Sequence, residues 1–204
     1  MKTVSTAACL AVNLLLVSSG CSARGAEKTL EIGDVAPGFE LQDLDGTAHT
    51  LAAHQGKTVV LEWFNPGCPY VVDTHTPGGA LHGVAEREMA NGVVWLAINS
   101  GAPGKQGHDP QENRKAAKDW GLSHPILLDP DGTVGRAYGA RTTPHMYVID
   151  GEGVLRYEGA VDNQPMRQAT GDRVPYLQHA VTDVVAGKRA RTPRTRPYGC
   201  SVKY

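Results

Sequence analysis

The sequence has almost no net charge: 20 Lys and Arg against 21 Asp and Glu leave −1 over 204 residues. No global field of one sign is present to draw in a nucleic acid, and none is expected as a partner. A hydrophobic run of the about 20 residues that a membrane-spanning helix requires is also missing. The apolar stretch Ala7 to Val17 is short and is broken by Asn13. There is no internal repeat, and His49, His54, His108 and His124 show no ligand spacing. Cysteine is scarce, at Cys9, Cys21, Cys68 and Cys200 only, so each one has to be placed before it can be given a role.

One basic residue, Lys2, precedes the Ala7 to Val17 stretch, which is the layout of a secretory signal. Ser18-Ser19-Gly20-Cys21-Ser22 follows and resembles the bacterial lipoprotein processing site, in which a cysteine after small residues is lipidated. Ser18 stands where that site usually has an aliphatic residue, so plain cleavage after Ala23 or Ala26 stays open beside lipidation of Cys21. Residues 1–26 are therefore expected to be a leader that exports the chain to the periplasm or cell envelope, with a lipid anchor if Cys21 is modified. Residues 27–188 then form one folded domain and 189–204 a basic tail. Two cysteines remain in the mature part, Cys68 and Cys200, in a compartment where disulfides persist. An even pair invites a bridge.

Thr58 to Phe64 is β-branched and aromatic, as in a short buried strand, and Asn65-Pro66-Gly67 ends it with turn chemistry. Pro69 suits the first turn of a helix, where its missing N–H costs nothing. Cys68 sits between the two. Unpaired N–H groups and the positive end of the helix dipole face such a sulfur and favour the thiolate. The competing view is a small buried apolar residue.

The rest of the chain alternates between strand and helix signals. Phe39 to Gln42 and Ala48 to Leu51 flank the Asp45-Gly46 turn as a hairpin. A broken helix runs from Tyr70 to about Met89, interrupted by Pro77-Gly78-Gly79. Val93 to Asn99 is nearly all apolar, so both of its faces are expected to be covered. Asp109-Pro110 caps a helix to about Trp120. Strands are predicted at Ile126 to Leu128, His145 to Ile149 and Val154 to Tyr157, and a closing helix at about Val174 to Ala186.

Thr142-Thr143-Pro144 precedes one of these strands, where a proline is tolerated and a cis bond makes a tight start. The strand ending before Cys68-Pro69, the run Thr142 to Gly153 and the closing helix together resemble the thioredoxin-fold redoxins, in particular the alkyl hydroperoxide reductase and thiol-specific antioxidant group. The resemblance spans roughly residues 30 to 188. It implies an α/β thioredoxin-like fold, a central mixed β-sheet flanked by helices, with cis Pro144 beside the active sulfur. It also implies that Thr143 presents its backbone to a bound substrate. The alternative for Thr143 and Pro144 is a rigid strand start with no binding role.

The departures matter equally. Thioredoxins carry Cys-x-x-Cys at this turn, and Asn65 occupies the first position here, so no local dithiol forms. Peroxiredoxins carry Thr or Ser three residues before the reactive cysteine; Asn65 has that spacing, and Leu61 stands where their proline does. Asn65 can donate to a thiolate or peroxide oxygen, or it can cap the turn. Cys200 is the candidate resolving partner of Cys68, from a tail whose Pro, Gly and Arg content suits a mobile or extended segment. Lys188, Arg189, Arg191, Arg194, Arg196 and Lys203 would lower the pKa of a nearby thiolate. A permanent structural bridge, contributing about 4 to 5 kcal/mol by loop entropy, is the competing role for Cys200.

His75 and His145 are both placed to approach Cys68, and thiolate with imidazole suits copper or zinc. The expectation is nevertheless an exported thiol-dependent oxidoreductase with Cys68 as nucleophile and no cofactor or metal. It would act on a peroxide or on protein thiols and disulfides, with a separate thiol reductant. The alternative is a noncatalytic binding module or metal-binding protein.

Overall fold

The β-branched run before Cys68 forms an interior strand of a seven-stranded sheet, every residue of it buried. The computed structural model describes Met1, residues 29–168 and residues 170–204. Cys9 and Cys21, with the expected cleavage and lipidation sites, lie outside the described residues.

The strands are β1 (Glu40–Asp43), β2 (Ala48–Thr50), β3 (Val59–Trp63), β4 (Val94–Asn99), β5 (Ile126–Leu128), β6 (Thr142–Thr143), β7 (His145–Ile149), β8 (Leu155–Gly159) and β9 (Cys200–Ser201). The helices are α1 (Pro69–His75), α2 (Val84–Ala90), α3 (Pro110–Trp120), α4 (Thr133–Ala137) and α5 (Tyr176–Val185). The main sheet runs β2-β1-β5-β4-β3-β7-β8, and β6 with β9 forms a separate pair. Strand β3 is parallel to β4 and antiparallel to β7, so the sheet is mixed, as expected.

Alternation along the strands separates the two faces. Leu61, Trp63, Leu96, Ile98 and Tyr147 pack on one side with Val134 of α4 and Tyr138. Val60, Trp95, Met146 and Val148 pack on the other under α2 and α5, and Phe64, Ala97 and Ile126 under α1 and α3. Every strand residue from Trp95 to Asn99 is buried, consistent with cover on both faces.

Local signals explain the boundaries. Asp109 accepts from the Gln111 N–H at 2.8 Å to start α3, Pro110 takes the first position, and Gly121 ends the helix in the left-handed region. Residues 77–79 do break the helix predicted over 70–89, giving α1 and α2. Helix α4 is started by the two aspartates just before it: Asp131 accepts from the Thr133 N–H at 2.9 Å, and buried Asp129 accepts from Val134 at 3.2 Å and from Gly135 at 2.8 Å. No helix among the described residues is long and apolar enough to cross a membrane.

Of the two states expected for the tail, mobile or extended, the structure has the extended one, packed along the domain. Thr195 accepts from the Ala160 N–H at 2.8 Å and its own N–H bonds Glu158 at 3.1 Å. Tyr198 donates to Asp162 at 2.7 Å, and Tyr204 donates to the Ala140 carbonyl at 2.8 Å. Anchors therefore lie on both sides of Cys200.

Candidate active site

The turn that delivers Cys68 is built by Asn65. Its Oδ1 accepts from the Gly67 N–H at 2.9 Å, its backbone carbonyl accepts from the Cys68 N–H at 3.0 Å, and its Nδ2 donates to the Gln106 carbonyl at 3.1 Å. Gln106 returns a bond from Nε2 to the Gly67 carbonyl at 2.9 Å. A Cβ on Gly107 would fall 2.1 Å from Asn65 Oδ1, so glycine is what lets the 100–108 loop close over the turn. Asn65 caps the turn: its oxygen and one of its two amide N–H groups bond backbone.

Cys68 is the residue just before α1, with Pro69 at the first helical position as expected. The thiol is fully buried and donates to the Thr143 carbonyl at 3.0 Å. The peptide between Thr143 and Pro144 is cis, as expected. Burial works against ionisation of Cys68, but it is outweighed by the Thr143 side chain, the Cys200 thiol and the Val71 N–H, and the pKa falls below the ordinary thiol range. The Val71 amide approaches the sulfur without closing a full capping bond. Thr143 Oγ1 is buried and has no hydrogen-bond acceptor among the described residues, which leaves its proton for the thiolate.

Cys200 reaches the same place from the far end of the chain. Strand β9 pairs antiparallel with β6, setting Cys200 against Thr143 and Ser201 against Thr142. Gly199 makes this approach possible: its φ is 139°, and a Cβ there would lie 2.1 Å from the Thr143 oxygen. Cys68 and Cys200 are free thiols, and Cys200 packs against the cluster that holds Cys68. Cys200 is half-buried, and burial together with the neighbouring Cys68 pushes its pKa up to about 11. The protein thus holds an asymmetric dithiol, one sulfur inclined to ionise and the other to keep its proton.

Two expectations for the surroundings are corrected. The tail cations are not among the main causes of the Cys68 shift: Arg191 pairs with Asp183 at 2.7 Å, Arg194 with Glu31 and Glu158 at 2.8 and 2.9 Å, and Lys203 acts on Cys200 instead, favouring its thiolate. What favours the Cys68 thiolate is short-range hydrogen bonding. Nor do His75 and His145 turn to the sulfur. His75 pairs with the buried Glu62 at 2.7 Å and stacks on Trp120, and His145 bonds the Tyr147 hydroxyl at 2.9 Å. Among the described residues no group of three His, Cys, Asp or Glu is arranged to hold a metal.

Sequence reasoning missed Glu62, although a carboxylate in a run of apolar strand residues is itself a signal of a buried partner. Trp95 Nε1 completes its cradle at 3.2 Å. Burial alone would raise the Glu62 pKa, yet His75 beside it holds the carboxyl below the usual range.

Comparison with known proteins agrees with this geometry. The redoxin family matches residues 31–173. A thiol-disulfide oxidoreductase, ResA, of Geobacillus thermodenitrificans is 32% identical over 132 residues, covering 64% of this chain and 70% of the relative. A putative peroxiredoxin of Mycobacterium tuberculosis is 31% identical over 130 residues, covering 64% and 77%. Among solved structures, a hypothetical protein from Sinorhizobium meliloti superposes with a TM-score of 0.75 at 28% identity, over 87% of this chain and 96% of that one.

Proposed function

This chain belongs to the redoxin family, and we propose that it is an exported thiol-disulfide oxidoreductase whose working group is the Cys68 and Cys200 pair. One observation carries the reading: Thr143 gathers both sulfurs, its carbonyl accepting a hydrogen bond from the Cys68 thiol while its backbone pairs with Cys200. Two free thiols set against one residue are placed to close a bond of about 2.05 Å. Closing the bridge gives up two electrons and two protons, which convert an external disulfide to two thiols; opening it runs the exchange backward through one mixed disulfide. The lowered pKa of Cys68 makes it the good nucleophile and leaving group of the pair.

Exchange is favoured over peroxide reduction by the state of the turn. A peroxide needs a donor to orient it beside the thiolate, and the Asn65 side chain, which holds the expected position, bonds the Gly67 N–H and the Gln106 carbonyl, which takes one of its two amide protons. Cys68 is also wholly covered. Export is supported by the N-terminal segment with Lys2 and the apolar run after it; Cys21 is the residue a lipid anchor would use.

The test is a redox titration of the exported protein in a dithiothreitol buffer, read by alkylation and mass mapping. A single two-electron transition that joins Cys68 to Cys200, together with loss of exchange activity in both Cys68→Ser and Cys200→Ser, is expected. Failure to form that bridge overturns the reading. Peroxide consumption faster than disulfide exchange would replace it with the peroxidase one.

A further inference from the structure

The two sulfurs differ in what can reach them. Cys68 has no exposed surface, closed in by Thr143 and Cys200 above and by Phe64 and Val71 of its own core cluster below. Cys200 stands half-buried on an outer two-residue strand. Thiol exchange requires the attacking thiolate to approach the sulfur it attacks, and access decides which sulfur that is. From this geometry we infer that in the oxidised protein an external thiol attacks Cys200, forming the mixed disulfide there, and that Cys68 is the sulfur expelled. The inference rests on the reading of the pair as a reversible redox bridge and adds the order of events within it.

Three further features agree. Strand β9 occupies the Thr143 edge, so an incoming chain cannot lie along that backbone to reach Cys68. Next to Cys200 a cleft of about 580 Å³ opens between Thr142 and Gly199 on one side and Asn163 and Pro165 on the other. Arg196 lines it, exposed and with no acidic partner among the described residues, a cation that favours an arriving thiolate. The leaving group is also the right one. A thiolate that keeps its proton weakly departs faster, and expelled Cys68 is received by the Thr143 hydroxyl and the Val71 N–H, whereas Cys200 has no comparable cradle.

The step balances as follows. An external thiol loses its proton and its sulfur bonds to Cys200 Sγ as the bond between Cys200 and Cys68 breaks, the electron pair leaving on Cys68. A second external thiolate then attacks the external sulfur and releases Cys200, which takes a proton. Two thiols become one disulfide, and the bridge becomes two thiols.

The full chain is oxidised to the bridge, mixed briefly with 2-mercaptoethanol, quenched in acid, digested with pepsin at low pH and mapped by mass spectrometry. The adduct is expected on the Cys200 peptide in at least about tenfold excess over the Cys68 peptide. An adduct mainly on Cys68, or evenly shared, overturns the inference while leaving the bridge intact. Absence of any bridge on oxidation overturns the redox reading itself, and this inference with it.

Discussion

Thr143 and Cys200 face each other across the two-residue ladder that joins the cis-proline segment to the end of the chain. The ladder is held in place from outside: Val202 donates to the Arg141 carbonyl at 3.1 Å and Ala102 to the Lys203 carbonyl at 2.8 Å. Because Cys68 donates to that same Thr143, a change at the ladder is transmitted directly to the distance between the sulfurs.

Gly199→Ala tests this coupling. The new methyl meets the Thr143 oxygen and sits at a φ that side chains rarely adopt. Strand β9 must lift, so bridge formation under a fixed redox buffer should slow by about tenfold or more, measured by quench and alkylation, one order corresponding to about 1.4 kcal/mol. The thermal transition of the domain should shift far less, because the chain from Gly199 on adds only Cys200 and Val202, both partly buried, to the edges of the core clusters.

Thr143→Val removes the hydroxyl beside the sulfur and keeps the side-chain shape. The Cys68 pKa should rise, and each unit of rise removes about tenfold of the thiolate at neutral pH. Iodoacetamide alkylation of Cys68 against pH should show the inflection moving up in Thr143→Val and returning in Thr143→Ser. An unmoved inflection would show that the hydroxyl has no part in holding the charge.

Asn65→Ala should cost about 0.5 to 1.5 kcal/mol for each of the two bonds lost in urea unfolding, since the exposed Gly67 and Gln106 can turn their freed groups to water. Cys68 alkylation should become less selective in the same variant as the turn loosens. Asn65→Asp keeps the acceptor for Gly67 and loses the donor to Gln106, so its loss should be smaller unless the carboxylate is repelled by the Gln106 oxygen.

Stability should fall in mild acid through two buried histidines. Desolvation lowers His124 from the ordinary 6.5 to about 4 and His145, with Arg141 nearby, to about 3. With folded values below the unfolded one, the unfolded chain takes the proton first as pH drops. The stability of the neutral rings is therefore complete above about pH 6.5 and is lost progressively down to each folded value, about 3 kcal/mol for His124 alone. Urea midpoints from pH 7 to 4 should trace the decline, and His124→Leu should flatten it. A flat wild-type profile would show that these rings charge freely in the folded state.

Much of the fold could be read from neighbouring residues alone. The strand Val59–Trp63, the turn after it, Pro69 in α1 and Asp109 capping α3 each depend on preferences that act over a few residues, and the structure has them where expected. Helix α4, a single turn of five residues, was too short to read from its pattern, and the partnership of His75 with Glu62, thirteen residues apart, was not legible either.

For the site itself, residue identity already determined that Cys68 ends a strand and begins a helix, that no second thiol lies within its own turn, and that a proline precedes β7. Whether Asn65 serves the sulfur or the turn depended on the Gln106 carbonyl, which sits forty-one residues away and is brought there only by the folded loop. The meeting of Cys200 with Thr143 likewise came from tertiary contacts, since a two-residue strand carries too little local preference to form without the Tyr198 and Tyr204 anchors and the edge it pairs with.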